Sequence, residues 1–235
     1  MRTDRNIRGS SRLSSDERRR AIIESVKEVF AENGFDGTTT RELAKAAGIS
    51  EALLYKYFPS KQSLYTAMLG ACAKAPVWVK CHHTRMLEPS ASTVITMVHS
   101  LMSQLVQGHS VHVDNGVLGR LAVRSLLDNG EFVRASLKPF TNTWVAIFEE
   151  CLKAAARMGD LREFPVSHDL RGWFVHHIAF ALMLHLYPKV PAIDYKVPEE
   201  TLIEQAVEFA LRGVGLKDDT IKRYYHAKSL RLLAE

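Results

Sequence analysis

Three features of the sequence predict an all-α fold. Apolar residues recur at three- and four-residue spacing over long stretches, β-branched alternation is scarce, and Gly and Pro are few, 13 and 8 of the 235 residues. A hydrophobic content of 46% is enough for a sizeable buried core. The elements follow in order. Ser14 or Ser15 can cap a first helix whose Asp16 and Glu17 sit in the first turn, where the helix dipole favours acids. Ile22, Val26, Val29 and Phe30 line one face of it, and Asn33-Gly34 ends it. In "GTTTRELAKAAG", Thr39 and Glu42 have the spacing of a capping box, and Gly48 stops a helix of about two turns. Ser50 caps a third helix, which ends before Pro59 because a residue preceding proline is pushed out of helical geometry. Ser60 starts a fourth.

A short helix, a glycine turn and a second short helix form a helix-turn-helix arrangement, whose second member is the one that enters a DNA major groove. With Ile49, Leu54 and Phe58 turned inward against Leu43, Ala44 and Ala47, the outward face comprises Glu51, Ala52, Tyr55 and Lys56, with Leu53 and Tyr57 on the flank. The stretch "AIIESVKEVFAENGFDG" followed by "TTRELAKAAGISEALLYKYFPSKQSLYTAML" resembles the DNA-binding domain of the tetracycline-repressor (TetR) family of bacterial transcription regulators. Gly-Phe-x-Gly, Thr-Thr, Ala-x-x-Ala-Gly-Ile-Ser and Leu-Tyr-x-Tyr-Phe-x-Ser-Lys-x-x-Leu carry the match, over about the first quarter of the chain. The resemblance implies two parts: residues 1–62, a basic arm and a three-helix DNA-binding domain with its motif at about 39–58, and residues 63–235, a helical domain for effector binding and dimerisation.

Charge points the same way. Residues 1–62 hold 12 Lys and Arg against 9 Asp and Glu, while the much longer remainder holds 19 against 17. Such a positive end either meets a polyanion or forms a solvated basic tail. Arg2, Arg5, Arg8 and Arg12 form an arm suited to a minor groove or to phosphates. Tyr55, Tyr57 and Lys61 surround the end of the recognition helix, where the resemblance implies phosphate contacts. Thr39 and Thr40 suit an anion as well as a helix cap, and Arg41 reaches for a base or a phosphate. Base readout is expected from Ser50, Glu51, Ala52 and Lys56, with Leu53 either joining them or packing on the flank. Glu accepts from cytosine, Lys donates to guanine, and Ala or Leu meets a thymine methyl.

A single domain of this size buries little DNA, so duplication by two-fold symmetry is expected. Two long helices at about 168–187 and 198–213, the first apolar around most of its circumference, are the expected homodimer interface. The bundle between is expected to hold a small, largely apolar effector. Trp78, Trp144, Phe148, Phe174, His177 and Met183 are its candidate lining, although aromatic stripes at helical spacing also build plain cores. No metal or other cofactor is expected: adjacent His residues diverge by about 100° on a helix, and no pair has structural-zinc spacing. No phosphate loop, GxSxG elbow or HExxH appears, so an enzyme is not expected. Three Cys without a CxxC pair, no signal-peptide core and no apolar run long enough for a bilayer give a cytoplasmic expectation. The overall reading is a repressor that binds a palindromic operator and is released by its effector. The alternative is a helical ligand- or metal-binding protein, enzymatic or not, with a non-functional helix-turn-helix.

Overall fold

The computed structural model describes residues 13–72, 87–107, 116–186, 188 and 190–232. The chain divides into two compact units, Met1–Ala71 and Cys72–Glu235. Among the described residues, regular structure is helical apart from one isolated bridge between Leu161 and Leu216.

The first unit contains α1 (Ser15–Asn33), α2 (Thr40–Ala46), α3 (Glu51–Tyr57) and α4 (Lys61–Cys72), whose last residue falls beyond the unit boundary. Its ends are fixed by side chains three residues apart. Ser14 and Glu17 cap α1 reciprocally, Thr39 and Glu42 do the same for α2, and the Ser50 hydroxyl accepts from the Leu53 amide at the start of α3. Gly48, at φ +64°, makes the turn between α2 and α3 in a region where a Cβ is strained. Ile22, Val26, Phe30, Leu43, Leu54, Phe58, Leu64 and Met68 form the core. Tyr65 ties the end of α1 to α4, its ring centroid 5.0 Å from those of both Phe30 and Phe35.

The second unit is built around α5 (Ala91–Gln107), buried at Val94, Ile95, Met97, Val98, Leu101, Met102 and Val106. After α6 (Val117–Leu127), one long helical run comprises α7 (Glu131–Pro139), a π-helical turn (Phe140–Val145) and α8 (Ala146–Arg157). The wide turn starts directly after Pro139, which has no amide proton to give to the ladder. The Thr141 hydroxyl donates to the Leu137 carbonyl beside it. Helix α9 (His168–Leu186) passes so close to α8 that a Cβ on Gly172 would lie 3.2 Å from Phe148 Cδ1 and 3.4 Å from Trp144 Cζ3. Helices α10 (Glu199–Gly213), α11 (Asp218–Tyr224) and α12 (Ala227–Leu232) complete the unit, and α8 to α12 all pack on α5. No described helix is long and apolar enough to cross a membrane.

Candidate nucleic-acid interface and helical core

The sequence sets the phase of α3. Leu54 and Phe58 are 3% and 1% exposed, while Glu51, Ala52, Tyr55 and Lys56 are exposed and Leu53 and Tyr57 are half-buried on the flank. An apolar residue every fourth position pins one face to α1 and α2, so the polar residues between them must point away. Ser50 caps α3, Lys61 opens α4, and Thr40 and Arg41 open α2.

Two cations hold this frame, and sequence reasoning missed one of them. The Arg19 guanidinium lies 4.2 Å above the Phe58 ring and donates through Nη1 to the Tyr57 carbonyl at 2.7 Å, fastening the last turn of α3 to α1. No local pattern announces it, because its partner is 38 residues away. Lys61, expected as a phosphate contact, sends its Nζ to the carbonyls of Phe35 (2.8 Å) and Thr38 (3.0 Å) and sits 4.4 Å from the Phe35 ring centroid. Two of its three N–H groups are thus spent on the loop before α2, leaving one to point elsewhere.

The two threonines, expected to suit an anion through hydroxyl and amide groups as well as to cap α2, use their hydroxyls within the protein. The Thr39 hydroxyl donates to Glu42 Oε2 at 2.8 Å, and the Thr40 hydroxyl donates to Glu51 Oε2 at 2.8 Å. A hydroxyl has one proton, so neither has a second for a phosphate. The Thr39 amide, first, and its hydroxyl, second, hold the Glu42 carboxyl below its ordinary pKa.

In the second unit the structure splits the expected pocket lining. Trp144 and Phe148 are buried and stacked in a ladder with Phe140, at centroid distances of 4.9 and 4.8 Å. Met183 is buried, whereas Phe174 is 52% exposed and His177 is exposed. Trp78 lies outside the described residues. The correction for Phe174 and His177 is one of helical phase: Gly172, Val175, His176, Ala179 and Met183 take the inner face of α9. A helix apolar all round gives no direction from sequence. The buried imidazole is therefore His176, between Phe140 (5.0 Å) and Phe180 (5.8 Å). Burial, reinforced by neighbouring His177, pushes its pKa down to about 4. Its Nδ1 has no hydrogen-bond partner among the described residues, and neither has the buried Ser136 hydroxyl.

Arg171 is the other residue that the sequence concealed. It is 5% exposed, and its guanidinium donates to the carbonyls of Val166 (2.8 Å), Phe164 (2.9 Å) and Val214 (3.0 Å), tying the start of α9 to the end of α10. Exposed apolar residues remain on the outside of these two helices: Leu170 and Phe174 on α9 and Phe209, 69% exposed, on α10. No cluster of three His, Cys, Asp or Glu side chains is arranged to hold a metal ion among the described residues.

Comparison with known proteins agrees with the fold and the motif. Residues 22–68 match the model of bacterial regulatory proteins, tetR family. The transcriptional activator FasR of Mycolicibacterium smegmatis is 30% identical over 136 residues, covering 57% of this chain and 43% of that one. The chain therefore spans less than half the length of this relative. A tetR-family regulatory protein from Rhodococcus RHA1 shares the fold at a TM-score of 0.62 and 19% identity, covering 86% of this chain and 99% of its own. AibR, in a complex with isovaleryl coenzyme A and operator DNA, does so at 0.57 and 19%, covering 82% and 97%. Residues 22–68 thus resemble the DNA-binding part of tetR-family regulatory proteins, and the chain as a whole shares the all-helical fold of the solved structures.

Proposed function

We propose that the chain is a cytoplasmic, non-enzymatic transcription regulator that binds a palindromic operator as a homodimer and leaves it when a small, largely apolar effector occupies the second unit. The observation that carries this reading is the solvent-facing quartet Glu51, Ala52, Tyr55 and Lys56 on a helix whose opposite face is locked into the core. In this reading Glu51, Ala52 and Lys56, with Ser50 and Leu53 beside them, meet base edges. Tyr55, Tyr57, Arg41 and the remaining N–H of Lys61 meet phosphates. Thr39 and Thr40 act through the side chains they hold.

The exposed Leu170, Phe174 and Phe209 support pairing of α9 and α10 with a second copy, since charged residues would otherwise cover such a surface. The two recognition helices would then address half-sites about 34 Å apart, one helical turn of DNA. For the effector, the aromatic ladder and the unpartnered His176 Nδ1 favour an apolar molecule with one hydrogen-bonding group. It releases DNA only to the extent that it binds the two states unequally. Selection from a pool of random duplexes by the purified protein tests the reading. An inverted repeat is the expected result. Recovery of no preferred sequence sinks the proposal in favour of a helical binding protein whose helix-turn-helix is idle.

A further inference from the structure

A carboxylate is an unusual group to aim at a polyanion. Glu51 is exposed at the first position of α3, on the face proposed to enter the groove, where every phosphate and every guanine or thymine acceptor repels it. Only a base that presents an amino group can repay its presence. Cytosine does so through N4, whereas the amino group of adenine lies next to the N7 acceptor, which opposes the carboxylate.

The side chain also has a partner on its own protein, which biases its orientation. Thr40, on the preceding helix and eleven residues earlier, donates its hydroxyl proton to Glu51 Oε2 at 2.8 Å. Its neighbour Thr39 already caps α2 through Glu42, so Thr40 is not needed for capping. The bond spans the turn between the two helices and occupies one carboxylate oxygen. Oε1 has no hydrogen-bond partner among the described residues. A long, rotamer-rich side chain held in this way gives up its freedom before DNA arrives rather than on binding.

We infer that Thr40 is a specificity-determining positioning residue: it orients Glu51 so that the free oxygen reads the N4 amino group of one cytosine in each operator half-site. The inference rests on the DNA-binding reading above and goes beyond it by assigning one base to one side-chain pair. It replaces the expected phosphate contact of Thr40 with an indirect role.

Duplex selection with the wild-type, Thr40→Val, Thr40→Ser and Glu51→Ala proteins, followed by titration of the selected operator and a copy altered at the assigned cytosine, tests it. The wild type should select cytosine at one position of each half-site. Thr40→Val, which keeps the shape but removes the proton, should lower discrimination at that position roughly tenfold and leave the other positions unchanged. Thr40→Ser should restore it, and Thr40→Val should add nothing in a Glu51→Ala background. A selected repeat without that cytosine, an equal loss by Thr40→Val on all sequences, or additive losses in the double variant would overturn the positioning role while leaving the regulator reading intact. Failure of the wild type to select any sequence would overturn both. A misfolded Thr40→Val protein leaves the decision to Thr40→Ser and Glu51→Ala, since a serine that fails to preserve the cytosine preference also overturns the role.

Discussion

The two units solve the problem of polar groups in opposite ways. In the first, the starts of α1, α2 and α3 are satisfied by residues three positions away, and two long-range cations, Arg19 and Lys61, spend themselves on carbonyls and rings. In the second, polar groups are buried: a guanidinium held by three carbonyls and, among the described residues, an imidazole with an unpartnered nitrogen and a serine hydroxyl with no acceptor. The first arrangement suits a rigid reading head that must keep its shape on and off its target. The second leaves unmet hydrogen-bonding capacity inside a core, and such capacity is what a ligand can use.

The sharpest way to break the comparison acts on the outside of the second unit. Phe209→Glu on α10 places a charge in the proposed two-fold contact. It should leave both units folded, give monomers in sedimentation, and reduce operator affinity by about 10²–10⁴, the factor that a tethered second site supplies. A dimer with full affinity would move the interface away from α10. Next, Arg171→Leu should lower the stability of the second unit by about 3–6 kcal/mol, because three carbonyls lose their donor at once. Hydrogen exchange should show faster opening of α9 and α10, with α1 to α3 unaffected. Equal loss of protection in both units would mean that they do not differ as described.

A pH series sharpens the contrast further. His176 titrates near 4 in the folded chain and near 6.5 when unfolded, so between these values the unfolded state binds the extra proton. Stability from this group is therefore complete above about 6.5 and is lost as pH falls towards 4, by at most about 3 kcal/mol. His176→Phe should flatten the denaturant-midpoint profile over that window, and a profile that keeps its slope would assign the loss to other groups. The smallest effect is expected in the first unit, where Ser50→Ala removes the hydroxyl that caps α3 and should cost about 1 kcal/mol, read as a shift in thermal midpoint.

What the sequence disclosed follows the same division. Cap and carboxylate lie three residues apart in Thr39 and Glu42, and glycine at residue 48 announces a positive φ, so the helix-turn-helix and its outward face were legible locally. The Arg19 to Tyr57 and Arg171 to Val214 bonds join residues 38 and 43 positions apart, and no periodicity encodes them. Phe174 and His177, expected in the lining, lie on the outer face because α9 is apolar on every side and its inner face is chosen by its neighbours, above all where Gly172 lets α8 come close. Thr39 and Thr40 were located correctly as residues of the α2 start, but the direction of a hydroxyl proton depends on a carboxylate that only the fold brings near.

The turn after Pro139 has a consequence for the aromatic ladder. Around a regular α-helix, residues four apart drift steadily in one direction, so three rings at such spacing fan out. A widened turn drifts the other way, and placing one beneath Phe140 and Trp144 cancels the fan, which is why Phe140, Trp144 and Phe148 stack with ring planes only 14° and 12° apart. The segment behaves as one surplus residue wound into the spiral. If Phe140–Val145 tightened to ordinary winding at unchanged length, everything beyond it would rotate by about 100°, the angle of a single residue. Phe148 would leave the core for the direction that Glu149 now takes, and Ile147 would turn into its place. The register of α8, and with it the identity of the wall that a bound molecule would meet, is thus set by whether six residues make a wide turn or a narrow one.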